Sequence, residues 1–266
     1  MKKTIKSNEP VFFNTYRLAN PQSKWDEFRN NDGGQVFSQT RMQIFNDQGL
    51  ACAYCEESLK TLIDSGYTHK IKVEHYHSKS DESDVTKNWN LDWNNLLGVC
   101  SGSPDHTEGL TKKQRLENLS CDTHKAHLEQ KKKLPLICEG WYLNPLELTS
   151  TLLIKFDKAT GELIPNTPFC ETYTPIKNNY DSVARLIEET IIAFNLNCDR
   201  LVQKRKSVFF HYMQLLKKAK DDNDEEFHEN ILKHWLSPPW PSFFTTRRTL
   251  LGDMAEKYLE QFEYNG

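Results

Sequence analysis

Hydrophobic positions along this chain recur first in short, mixed patterns and then, past the middle, in long helical stripes. Trp25 and Phe28 stand at helical spacing within residues 21–30, and Asn31-Asp32-Gly33-Gly34 is a turn that stops that helix. Residues 39–47 predict a second short helix. Residues 67–76 read as a strand, with Ile71 and Val73 on one face. Residues 78–89 are polar and charged and predict a loop. Leu96 to Val99 is a short apolar strand, and residues 122–132 predict a helix with Asp122 near its start.

The second half differs in character. Leu152 to Phe156, the turn Lys158-Ala159-Thr160-Gly161, and Leu163-Ile164 predict a hairpin. Apolar residues at 183, 186, 187, 191 and 194 draw a helical stripe through 180–196. Helical patterning continues over 201–220. The acidic run 221–226 is placed to cap a helix over 227–235. Pro238-Pro239-Trp240-Pro241 is a hard break, and 246–262 predicts a last helix. The fold class is therefore α+β, a small strand-and-helix module embedded in a mainly helical chain. Its parts are an N-terminal arm over 1–48, the module over 49–135 and a helical lobe over 136–266.

Composition narrows the setting. Hydrophobic residues are 37% and charged residues 27% of 266, as in globular chains with a real core. No apolar run approaches the ~18 residues that cross a bilayer. Met1-Lys2-Lys3-Thr4-Ile5-Lys6 begins basic but lacks the apolar stretch of a signal peptide. Seven cysteines without an export signal predict thiols in a reducing cytoplasm. The formal net charge of -3 excludes binding of nucleic acid through global charge. Such binding needs local basic patches or a partner that delivers the substrate.

Candidate chemistry is concentrated between Cys52 and Lys125. Cys52 and Cys55, with two residues between them, can present both sulfurs from one tight turn. With Cys100 and Cys121 they make a four-thiolate cage for a structural Zn²⁺. The twenty residues between Cys100 and Cys121 exceed an ordinary knuckle, but loop-closure entropy grows slowly with length. Cys138, Cys170 and Cys198 match no motif and read as small buried residues.

Phosphodiester hydrolysis needs an activated water, a Lewis acid on the phosphate and help for the leaving oxygen. His75 is the candidate general base. Glu74 precedes it, so on a strand the two side chains point to opposite faces. Asp122 is a hard oxygen ligand for Mg²⁺ or Mn²⁺. Asn95 is placed to orient His75 through a hydrogen bond. Lys125, one turn beyond Asp122, and the tract Lys131-Lys132-Lys133 are candidates for phosphate contact. Arg200, Lys204, Arg205 and Lys206 form a second candidate basic face. Trp89 and Trp93 flank the asparagine and pack the motif.

Cys-x-x-Cys, Glu-His, Asn-Leu-x-x-x-Cys and Cys-Asp-x-x-Lys together resemble an HNH endonuclease of the zinc-stabilised ββα-metal class. In that resemblance His75 takes the place of the strand histidine, Asn95 that of the asparagine and Glu74 that of the acidic metal ligand. Asp122 stands where the family has its final histidine or asparagine. This is a departure, and His124 or His127 can serve as ligand instead. Glu74-His75-Tyr76-His77-Ser78-Lys79-Ser80 and Trp93-Asn94-Asn95-Leu96-Leu97 are similar to PtuB-type HNH proteins. The resemblance implies an antiphage effector of the Septu kind working with a PtuA-like ATPase. In retrons it also implies a reverse transcriptase and its DNA–RNA product. It makes the helical lobe a partner-binding element. The reading from another class is a non-catalytic zinc module that binds a protein or nucleic acid.

Overall fold

A computed structural model describes the chain except residues 105–108, 136, 149–151, 175–176, 262–263 and 265–266. The patterned segments form helices at Trp25–Asn30, Gln35–Asp47, Cys121–Gln130, Val183–Ala193, Asp199–Asp221 and Phe227–Trp235. Two hairpins accompany them. In the first, β1 (Ile71–His75) pairs antiparallel with β2 (Leu96–Cys100), so that Ile71 faces Cys100 and His75 faces Leu96. In the second, β3 (Ile154–Phe156) pairs antiparallel with β4 (Leu163–Pro165).

Several expectations need correction. The strand expected from Tyr67 begins only at Ile71, because Thr68–Lys70 winds into a 3₁₀ turn. The single last helix is two, Phe244–Leu251 and Asp253–Glu260. Gly252 breaks them at φ 56°, ψ -135°, a conformation open essentially to glycine alone. Of the predicted span, Phe262 lies outside the described residues. The acidic run does not cap its helix through a side chain at Glu226; instead Asp224 accepts from the Glu226 amide in the turn that precedes the helix. Short helices at Lys60–Asp64, Lys112–Glu117 and Thr167–Thr172 carry too little periodicity to be predicted.

Three apolar clusters hold these elements. The first runs without interruption from Phe45 of the arm through Tyr54, Leu97 and Val99 of the module to Leu186, Phe194 and Leu201 of the lobe. The second gathers Tyr212, Trp235, Trp240, Phe244 and Leu251 among the C-terminal helices. The third packs the arm onto the start of β2 through Phe13, Trp25, Phe28, Ile44, Trp93 and Leu96. Gln48 stitches the arm to β2. Its amide donates to the carbonyl of Gly98 at 2.7 Å and accepts from the Gly98 amide at 2.7 Å. Among the described residues no helix is long and apolar enough to cross a membrane.

Candidate active site

The four cysteines converge from three elements. Cys52 and Cys55 sit in a tight turn in which the Glu56 amide donates to the Cys52 carbonyl at 3.0 Å. Cys100 ends β2, and Cys121 begins the Cys121–Gln130 helix with φ 54°. The segments that carry Cys100 and Cys121 are tied together where the Ser120 amide donates to the carbonyl of Gly102 at 2.7 Å. All four cysteines are buried. The sulfurs of Cys52 and Cys121, and of Cys55 and Cys100, are 3.8 Å apart, and those of Cys100 and Cys121 3.7 Å. Disulfides need about 2.05 Å. A tetrahedron of sulfurs at about 2.3 Å from zinc has edges of about 3.8 Å, so the spacing is that of a metal cage.

Next to the cage lies a carboxylate pair, Glu74 buried and Asp122 half-buried. Glu74 on β1 and Asp122 at the helix start touch through a hydrogen bond between their carboxyls. Burial pushes Glu74 well above the usual carboxylate range, against the pull of Lys125, and the Asp122 charge adds to the rise. Asp122 is also penalised by burial, but the Glu74 hydrogen bond and the charges of Lys72 and Lys125 hold it below that range. Tyr54, from the cysteine turn, stacks on Phe194 at 3.9 Å and is fully buried. Its hydroxyl has no hydrogen-bond partner among the described residues, and burial together with Glu74 and Asp122 raises it far above the ordinary phenol.

Lys125 is not at the surface. Its ammonium is buried and donates to Glu74 Oε1 at 2.7 Å and to the carbonyls of His75 and Tyr76 at 3.0 and 2.8 Å. It clamps the end of β1 rather than facing a phosphate. His124 Nδ1 lies 2.9 Å from the carbonyl of Ala193 and so carries the proton, which leaves Nε2 its lone pair.

His75 lies on the other side of β1, as strand alternation demands. Its ring meets Trp25 edge-to-face at 4.5 Å, and Nε2 is 3.1 Å from the carbonyl of Asn90. A carbonyl only accepts, so Nε2 carries the proton and Nδ1 keeps its lone pair. Burial lowers the pKa from 6.5 to about 3, against the support of Asn90.

Asn95 does not orient the His75 ring. Its Oδ1 accepts from the His77 amide at 2.7 Å, and its Nδ2 donates to the carbonyls of His77 and Trp89 at 3.0 and 2.9 Å. It precedes β2, opposite the end of β1, and closes the neck of the 78–89 loop. Trp89 stacks on His77 at 3.8 Å and Trp93 is buried in the arm cluster, so both pack the motif.

Lys131, Lys132 and Lys133 are exposed after the helix. The second basic face is not free. Arg200 donates to Ser120 Oγ at 2.7 Å, and both Arg200 and Lys204 pair with Glu57. Arg205 is 1% exposed and donates to the carbonyls of Gly161 and Leu196.

No family model matches the chain. A protein of Escherichia coli, "Retron Ec83 putative HNH endonuclease", is 36% identical over 253 residues, covering 94% of this chain and 93% of its own length. Similarity of that extent runs over arm, module and lobe together and supports the nuclease reading. This chain belongs to the HNH endonucleases, enzymes that hydrolyse phosphodiester bonds.

Proposed function

We propose that the chain cuts nucleic acid with His75 as general base and with Mg²⁺ or Mn²⁺ held by Glu74 and Asp122. The observation that carries this reading is the meeting of Glu74, held by Lys125 at 2.7 Å, and Asp122, beside Lys72 at 3.5 Å, at the junction of β1 and the Cys121–Gln130 helix. Two hard oxygen donors brought together from strand and helix suit a divalent ion. When bound, that ion supplies Lewis acidity to the scissile phosphate. The chain's own residues do the rest. His75 would accept the proton of the attacking water at Nδ1, the nitrogen that Asn90 leaves free, from the face of β1 opposite Glu74. The ring is neutral before substrate arrives, and an approaching phosphate raises its basicity by charge. Lys125 holds the carbonyls of His75 and Tyr76, fixing the strand end that carries the base. Asn95 fixes the loop behind it.

A structural Zn²⁺ in the four-cysteine cage fits the sulfur spacing, and four thiolates leave no position for reacting water. The retron named for the relative supports a role as a cytoplasmic antiphage effector. Its partners would be a PtuA-like ATPase bound through residues 136–266, and a retron reverse transcriptase with its DNA–RNA product. The net charge of -3 suits a subunit whose substrate is delivered by an assembly.

The test is cleavage of duplex DNA, single-stranded DNA and RNA by the chain with its ATPase, in Mg²⁺ or Mn²⁺, comparing wild type with His75→Ala. Loss of cutting with zinc content unchanged is the expected result, by at least about 100-fold for a general base. Equal cutting by both proteins would remove His75 from the mechanism.

A further inference from the structure

A second cluster of metal-binding side chains lies just past the end of β1. His77 Nδ1 is 2.7 Å from Glu139 Oε1, and Cys138 Sγ is 3.9 Å from Glu139 Oε2. The imidazole nitrogen, the thiol sulfur and the carboxylate oxygen all lie within 4.8 Å of one another. His77 and Cys138 are 4% and 1% exposed, while Glu139 is half-buried and opens the cluster towards solvent.

We propose that His77, Cys138 and Glu139 bind a second divalent cation of the zinc class, separate from the four-cysteine cage. Donors of three kinds, nitrogen, sulfur and oxygen, are the mixture a borderline cation takes and a hard ion such as Mg²⁺ does not. Bond lengths of about 2.0–2.3 Å to such donors set tetrahedral edges of about 3.3–3.8 Å. The two contacts at 2.7 and 3.9 Å bracket that range, so side-chain shifts of about half an ångström would seat the ion.

The surroundings of His77 are those of a ligand. Its other nitrogen, Nε2, is 2.7 Å from Asp81 Oδ2, and the ring lies flat on Trp89 at 3.8 Å. A carboxylate on the far nitrogen fixes the tautomer and aims the near one at the metal, as around most metal-bound histidines. Asn95 holds the backbone of the same residue on both sides. Three protein ligands leave a fourth position for water on the solvent side, where Glu139 stands. Binding forms a sulfur–metal bond at Cys138 and releases the thiol proton to water.

The ion would tie the turn after β1 to the segment that follows the Cys121–Gln130 helix. That turn carries the Tyr76 carbonyl, to which the Cys138 thiol donates at 3.1 Å, a bond that the metal-bound thiolate would give up for the ion. Lys125 holds the same carbonyl from the helix, so the site would brace the strand end from a second element.

The experiment is metal counting on the full-length chain purified with zinc, and again with Co²⁺ in place of zinc. Wild type is compared with Cys138→Ser and with the milder Glu139→Gln, each checked for fold by near-ultraviolet circular dichroism. The expected result is one equivalent less metal in folded Cys138→Ser, a weaker hold in Glu139→Gln, and loss of part of the thiolate–cobalt absorption. Equal metal content and spectra in all three proteins overturn the proposal, whatever the total. Cys55→Ser, measured alongside, reports on the cage alone, so failure of one site does not mask the other.

Discussion

At the scale of single residues, His75 shows how burial sets both reactivity and stability. An imidazole free in water titrates near 6.5; packed among Trp25 and the Asn90 carbonyl it is pushed down to about 3 by burial. The folded chain therefore refuses a proton that the unfolded chain accepts. Stability contributed by the neutral ring is complete above pH 6.5 and drains as pH falls towards about 3. The whole window corresponds to on the order of 4–5 kcal/mol. Urea denaturation of wild type and His75→Gln between pH 7 and pH 4 should show the wild type losing stability more steeply, and parallel profiles would sink the account. His75 was singled out from its place beside Glu74 and its spacing to Asn95; its burial against Trp25 could be seen only in the fold. The place of Asn95 was not, because its partners, His77 and Trp89, are set by where the 78–89 loop returns. Lys125 misled for a related reason. A lysine one turn beyond Asp122 reads as a surface cation, yet helix and strand cross so that its ammonium meets Glu74 and two strand-end carbonyls. Only a helix-to-strand crossing angle, absent from any local pattern, distinguishes the two.

At the scale of elements, the two-stranded sheet is too small to stand by itself and depends on close backbone approach. Gly98 lies on β2 where a Cβ would meet the Phe45 ring at 2.6 Å. Both of its backbone groups are bonded to Gln48, so the strand cannot back away. Gly98→Ala should cost about 1–3 kcal/mol by overpacking, read as a fall in denaturation midpoint with unchanged m-value. Gly98→Ala combined with Phe45→Leu should recover part of that loss; no recovery would mean the ring is not the obstacle. The strands, the long helices and the second hairpin were visible because their apolar spacing repeats over enough residues. The split at Gly252 was hidden by apolar spacing that continues through it, with Leu250, Leu251, Ala255 and Leu259 all buried. A lone glycine in a helical pattern is usually tolerated, so its φ of 56° could come only from the packed helices.

At the scale of the whole molecule, the cysteine cage joins elements that the sequence keeps far apart. Cys121 also donates through its amide to the carbonyl of Phe194 at 2.8 Å, so the cage is coupled to the end of the Val183–Ala193 helix and the main core. Chelation of zinc should therefore loosen module and lobe together, lowering the melting temperature in a single transition. Two separated transitions would show that the lobe is stable without the cage. The charge distribution makes the last prediction. The net charge is -3, and Arg200, Lys204 and Arg205 are committed to internal partners. Lys131, Lys132 and Lys133 are then the exposed basic tract that follows the helix carrying Asp122. On duplex DNA, every phosphate that a protein ceases to neutralise reduces the slope of log affinity against log salt by about 0.9. Replacing all three lysines by glutamine should flatten that slope by up to about 3 and weaken binding at low salt, with Glu74, Asp122 and His75 undisturbed. A slope unchanged by the triple substitution would place the nucleic acid elsewhere on the chain or on a partner.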